Sequence, residues 1–101
     1  MAKEESRSVN LILFTTIAPH RLTDGLLLAG FCVFEALSIS EVFGLIEKFP
    51  NAMILIDQDV ATERATVIQE HHITLQLGPG VALKDVIWEL SHLTKTRMLV
   101  Q

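Results

Sequence analysis

Apolar residues fall along this chain in one phrase repeated four times: a short apolar or β-branched run, a break, then positions spaced as on a helix. The first run covers 9–14 (VNLILF) and is broken by 15–19. HRLTDGLLLAG follows, with Leu22, Leu26 and Ala29 on one helical face and Gly30 at the C′ position, where a left-handed residue ends a helix. The second run is 32–36. Ser38 then stands three residues before Glu41, a capping-box pattern. Val42, Leu45, Ile46 and Phe49 form the i, i+3, i+4, i+7 stripe of a helix buried on one side, and Phe49-Pro50-Asn51 stops it. The third run, 52–56 (AMILI), ends at Asp57-Gln58-Asp59. A helix over about 61–70 follows, with Asp59 as its N-cap. The fourth run, 73–77, is broken by Gly78-Pro79-Gly80, and the last helix covers about 81–93 with Leu83, Val86, Ile87, Leu90 and Leu93 on its stripe.

Strand and helix alternating over short links predict right-handed βαβ units and a parallel sheet covered on both faces. LILF and MILI are continuously apolar, as central strands are. The fourth run alternates Ile73, Leu75 and Leu77 with Thr74 and Gln76, and the second carries Glu35, so both read as edges. The expected fold is a flavodoxin-like doubly wound sheet of about four strands, in the order 2-1-3-4, with about four helices. Residues 1–8 read as a disordered polar lead-in, 9–95 as the domain, and 96–101 as an apolar tail.

Composition narrows the function classes. A length of 101 residues, half of them hydrophobic, makes one domain with a sizeable core. No apolar run approaches the roughly 20 residues of a membrane span, and MAKEESRS lacks a signal-peptide core, so the expectation is a cytoplasmic chain with no membrane partner. Eight Lys and Arg against twelve Asp and Glu give a net charge of −4, which argues against a nucleic-acid face. The single cysteine, Cys32, excludes an intrachain disulfide and reads as a buried, inert thiol on a strand.

The stretch 26–60, LLLAGFCVFEALSISEVFGLIEKFPNAMILIDQDV, resembles the core of a two-component response regulator receiver domain. In that family a helix ends in a Gly-aromatic pair, matched here by Gly30-Phe31. Strand three ends on the phosphoacceptor aspartate, matched by Asp57 after MILI. The resemblance implies two acidic residues after strand one that hold magnesium, a cation that neutralises the transferring phosphoryl group. Thr15 and Thr16 stand there instead, and two hydroxyls do not replace two carboxylates for a hard cation. A Lys-Pro pair after the last strand is matched by Gly78-Pro79, so the lysine is gone, and the Thr or Ser of the family's strand four lies in a βα unit this chain lacks. The family's Lys-Pro peptide is typically cis, which implies a cis Gly78-Pro79 bond. These departures point to a degenerate, truncated receiver without phosphotransfer chemistry and without a cofactor. Magnesium belongs only to the alternative in which Asp57 accepts a phosphoryl group through an atypical metal site.

Other groupings are weaker. Asp57 reads as a relic acceptor or a turn residue. The adjacent His71 and His72 point apart on any regular element, and neither His20 nor His92 supplies a zinc spacing, so no metal site is expected. No nucleophile, base and orienting group assemble into a catalytic set. The loop Gly78-Pro79-Gly80 reads as a turn; it lacks the length of a phosphate-cradling fingerprint.

Losing a βα unit leaves the fourth strand as an open edge, which marks Ile73, Leu75 and Leu77 as interface candidates. Trp88 sits off the centre of its helical stripe, where a bulky aromatic suits an interface. Met98, Leu99 and Val100 read as a pairing strand for this edge or a neighbour's, as the start of a longer segment, or as a frayed end. The expectation is a non-catalytic protein-interaction module of bacterial signalling, homodimeric through these residues, with an unidentified protein partner. A small ligand-binding or enzyme domain, its site at the strand C-terminal edge near Thr15, Thr16, Asp57 and Gly78, is the further alternative.

Overall fold

Four strands form one parallel sheet: β1 (Asn10–Phe14), β2 (Cys32–Ala36), β3 (Met53–Ile56) and β4 (Thr74–Gln76). Their order is β2-β1-β3-β4, as the apolar patterning predicts. A computed structural model describes residues 9–70, 72 and 74–100. Leu11 to Phe14 and all of β3 are buried because helices cover both faces. The helices are α1 (Thr23–Leu28), α2 (Ile39–Lys48), α3 (Thr62–Gln69) and α4 (Leu83–Val100). The chain runs outward from β1 to β2, then reverses past β1 to reach β3. Right-handed crossovers therefore put α1 on one face and α2 and α3 on the other. Leu22, Leu26, Val86 and Leu90 of the α1 and α4 units pack with Leu11, Leu13, Met53 and Leu55 on the first face. Val42, Ala65 and Ile68 pack with Ile12, Phe14, Ile54 and Ile56 on the second. The reversal leaves a crevice at the C-terminal ends of β1 and β3, the place where ligands and sites sit in such sheets.

Local signals account for the ends. Gly30 takes φ +104, and the N–H groups of Gly30 and Phe31 donate to the carbonyls of Leu27 and Leu26, the paired bonds of a Schellman cap. Ser38 Oγ accepts the N–H of Glu41 at 3.1 Å, while Glu41 Oε1 accepts the N–H of Leu37, one residue before the expected partner.

Several expectations change. Asp59 does not cap α3: the helix begins after Ala61 without a side-chain cap, and Asp59 is exposed. Cys32 is exposed, because it opens an edge strand whose outer side carries no neighbour among the described residues. The Gly78-Pro79 bond is trans, and the cis peptide is Ala18-Pro19 instead. Residues 96–100 continue α4, so Met98, Leu99 and Val100 lie on a helix and not on a pairing strand. Of the β4 edge, Leu77 is buried and Leu75 half-buried. Ile73, His71 and the 1–8 lead-in lie outside the described residues. Trp88 is 63% exposed, and its ring stacks on His92 with centroids 5.3 Å apart. No helix of the described residues is long and apolar enough to cross a membrane.

Candidate functional site

The site follows from where the central strands stop. β1 and β3 are paired in register from Leu11–Met53 to Phe14–Ile56, so the next residues, Thr15 and Asp57, emerge side by side. Each is pinned by one more backbone bond: Thr15 N–H to the carbonyl of Ala36 at 3.0 Å, and Asp57 N–H to that of Phe14 at 2.9 Å. Thr15 is fully buried, and its hydroxyl lies 3.1 Å from Asp57 Oδ2 and 3.2 Å from the Ile17 carbonyl. Asp57 Oδ1 accepts the N–H of Gln58 at 2.9 Å.

The third partner of this carboxylate is His20, a residue that spacing does not single out. Its Nε2 lies 3.1 Å from Asp57 Oδ2, with side-chain exposures of 6% and 16%. Its Nδ1 accepts the N–H of Leu22 at 3.1 Å. A ring nitrogen that accepts carries no proton, so Nε2 bears the hydrogen and donates it to Asp57. The loop is tied on its other side by Glu35: its Oε2 accepts the backbone N–H of His20 at 2.8 Å and the hydroxyl of Thr23. One polar chain thus runs from Glu35 on β2, through the β1–α1 loop, to Asp57 just after β3 and Thr15 just after β1.

This wiring decides what the group can do chemically. Both nitrogens of His20 are committed inside the fold, which leaves the imidazole none with which to take a proton from a substrate. Magnesium fares no better. It needs several oxygen ligands in near-octahedral array. Here the edge offers Asp57, whose Oδ2 already holds two donors, the exposed Asp59 two residues on, the buried hydroxyl of Thr15 and the exposed Thr16. Gly78, where the resemblance requires a lysine, brings no charge. Among the described residues no three His, Cys, Asp or Glu side chains are placed to share a metal ion. The residues present do not fit the ion.

A cleft of about 290 Å³ lies over this edge, lined by Ile17, Pro19, His20, Arg21, Asp57, Gln58, Asp59, Gly78 and Gly80. Asp57 and Gly78 of the expected edge line it. Thr15 is the buried floor-post of Asp57, and Thr16 and Pro79 do not line the cleft. Sequence reasoning missed His20, Pro19 and Arg21, since a polar loop after the first strand carries no periodicity. The one available signal was that a histidine just before a helix, after the first strand of such a sheet, stands at the switch point. No family model matches the chain, and neither a curated protein nor a solved structure does.

Proposed function

We propose that this chain is a receiver-like protein-interaction module of bacterial, cytoplasmic signalling that works without phosphorylation. One observation carries the reading: the carboxylate at the acceptor position is held by Thr15, His20 and Gln58, while Thr15, Thr16 and Gly78 stand where the resemblance calls for two carboxylates and a lysine. A carboxylate that attacks a phosphodonor needs a cation beside it to offset the incoming charge. Asp57 instead ties two central strands to the β1–α1 loop, a structural use of a position the resemblance assigns to chemistry. The partner is a protein, and a second copy is the first expectation, since β4 ends the sheet and Trp88 stands exposed on the neighbouring α4. Amide spectra with magnesium and beryllofluoride test this. The expected result is no saturable change around Asp57 at millimolar magnesium; saturable shifts there would establish a working phosphoacceptor and refute the reading.

The cleft favours a second reading, a small-ligand site at the same edge. Its volume is at the low end for ligand pockets, and its lining mixes Ile17 and Pro19 with the charged Arg21 and Asp59. Shifts of Arg21, Gln58 and Gly80 amides in a metabolite screen, with β4 and α4 silent, would move the function there.

A further inference from the structure

The other open edge of the sheet, β2, has a shallow, open depression beside it. About 350 Å³ lies between Glu35 of β2 and Glu41, Gly44, Leu45 and Lys48 of α2. The orientation of α2 follows from its two flanks. Phe43 faces the His72 ring, 6.4 Å away beyond α3, so the flank bearing Glu41, Gly44, Leu45 and Lys48 looks the opposite way, toward the free side of β2. Gly44 is mid-helix and exposed, where glycine is less favourable than alanine. A Cβ built on Gly44 meets nothing within 4 Å. The fold's own packing therefore does not require the glycine; it only keeps the groove floor open.

We infer that β2 accepts an extended segment of a partner protein as a fifth strand, with an apolar side chain seated over Gly44 and Leu45, a basic residue beside Glu41 and an acidic residue beside Lys48. The inference rests on the protein-interaction reading and adds, at the edge away from β4, a partner other than a second copy. Backbone pairing supplies attachment and the groove supplies selectivity, as in other strand additions. The charges are available: Glu41 uses Oε1 to hold the Leu37 N–H, and Lys48 has no ion-pair partner among the described residues. Glu41 and Lys48 are seven residues apart on a helix, about 10 Å. First and fifth residues of a strand are about 13 Å apart and share a face. The two spacings differ by only about 3 Å, which long charged side chains span. Glu41 lies at the Leu37 end of β2 and Phe49, after Lys48, stacks on Phe34, so the basic residue belongs toward the strand's C-terminal end.

The test uses the labelled full chain and two capped peptides, Lys-Thr-Val-Thr-Glu and Glu-Thr-Val-Thr-Lys, which present these groups in the two strand directions. Expected are amide shifts at millimolar peptide confined to β2, Leu37 and the α2 flank around Gly44, with one peptide preferred, and slower thiol modification of Cys32. Gly44→Leu fills the groove with a good helix former; it should melt at or above the wild-type temperature and lose the shifts. Silence of these amides with both peptides, shifts elsewhere, or binding unchanged in Gly44→Leu would overturn the inference. So would concentration-dependent shifts of the same amides without peptide, which would assign the edge to a second copy. Magnesium and beryllofluoride shifts at Asp57 would instead overturn the interaction-module reading, so the two failures are read at opposite places in one spectrum.

Discussion

Replacing Asp57 with alanine separates a structural carboxylate from a turn residue. The substitution strands three donors, which differ in what else they can find. The Gln58 N–H is exposed and turns to water. The Thr15 hydroxyl keeps the Ile17 carbonyl at 3.2 Å. The His20 Nε2–H, on a side chain only 6% exposed, has no such substitute. A hydrogen bond to a charged acceptor contributes about 1.5–3 kcal/mol. Counting that of His20 in full and part of that of Thr15 gives a loss of about 2–4 kcal/mol, against a total of about 5–15 for a domain. For about 100 residues this lowers Tm by roughly 10–25 °C. Urea titration by far-UV circular dichroism measures it; Trp88 is too exposed to report unfolding well. A double-mutant cycle with His20→Ala should give a coupling above about 1 kcal/mol. A change below about 0.5 kcal/mol in Asp57→Ala, or additivity in the cycle, would refute the argument.

Leu55→Ala, which empties a fully buried site on the α1/α4 face, should cost about 2–5 kcal/mol by the same titration. Ser38→Ala removes the only side-chain bond at the start of α2 other than that from Glu41, and should cost about 0.5–2 kcal/mol. Trp88→Ala should leave stability within about 0.5 kcal/mol, because the ring is largely exposed. Light scattering at micromolar concentration should find a dimer in the parent that weakens in Trp88→Ala; a single monomeric mass in the parent would rule the homodimer out.

The sheet was legible because burial writes itself into strands: LILF and MILI are apolar at every position only when covered on both sides, which places them at the centre. Gly30 and Ser38 announced helix ends through chemistry that needs no tertiary context. The errors arise where context decides. Cys32 belongs to an apolar run, yet the first residue of an edge strand faces water. The stretch 96–101 reads as a tail because Lys95, Thr96 and Arg97 interrupt the stripe, but no Gly or Pro after Gly80 stops a helix. The site was half visible. Asp57 stood out by its place after a buried strand, whereas its partner His20 lies 37 positions earlier, and only the β1–β3 pairing joins them. Asp59 resembled a cap because its spacing was right, but α3 starts later and without one.

That β1–β3 seam also orders events in time. β1 and β2 pair across 22 positions, but Thr15 and Asp57 are 42 apart. Closing the longer loop costs about 0.6 kcal/mol more, on a logarithmic scale. Two smaller units, β1–α1–β2 and β3–α3–β4, can each gather locally before they join. The bond between Thr15, His20 and Asp57 forms only when they do. On a ribosome it cannot exist until the chain beyond residue 57 has emerged, so the cleft is a marker that the halves have met.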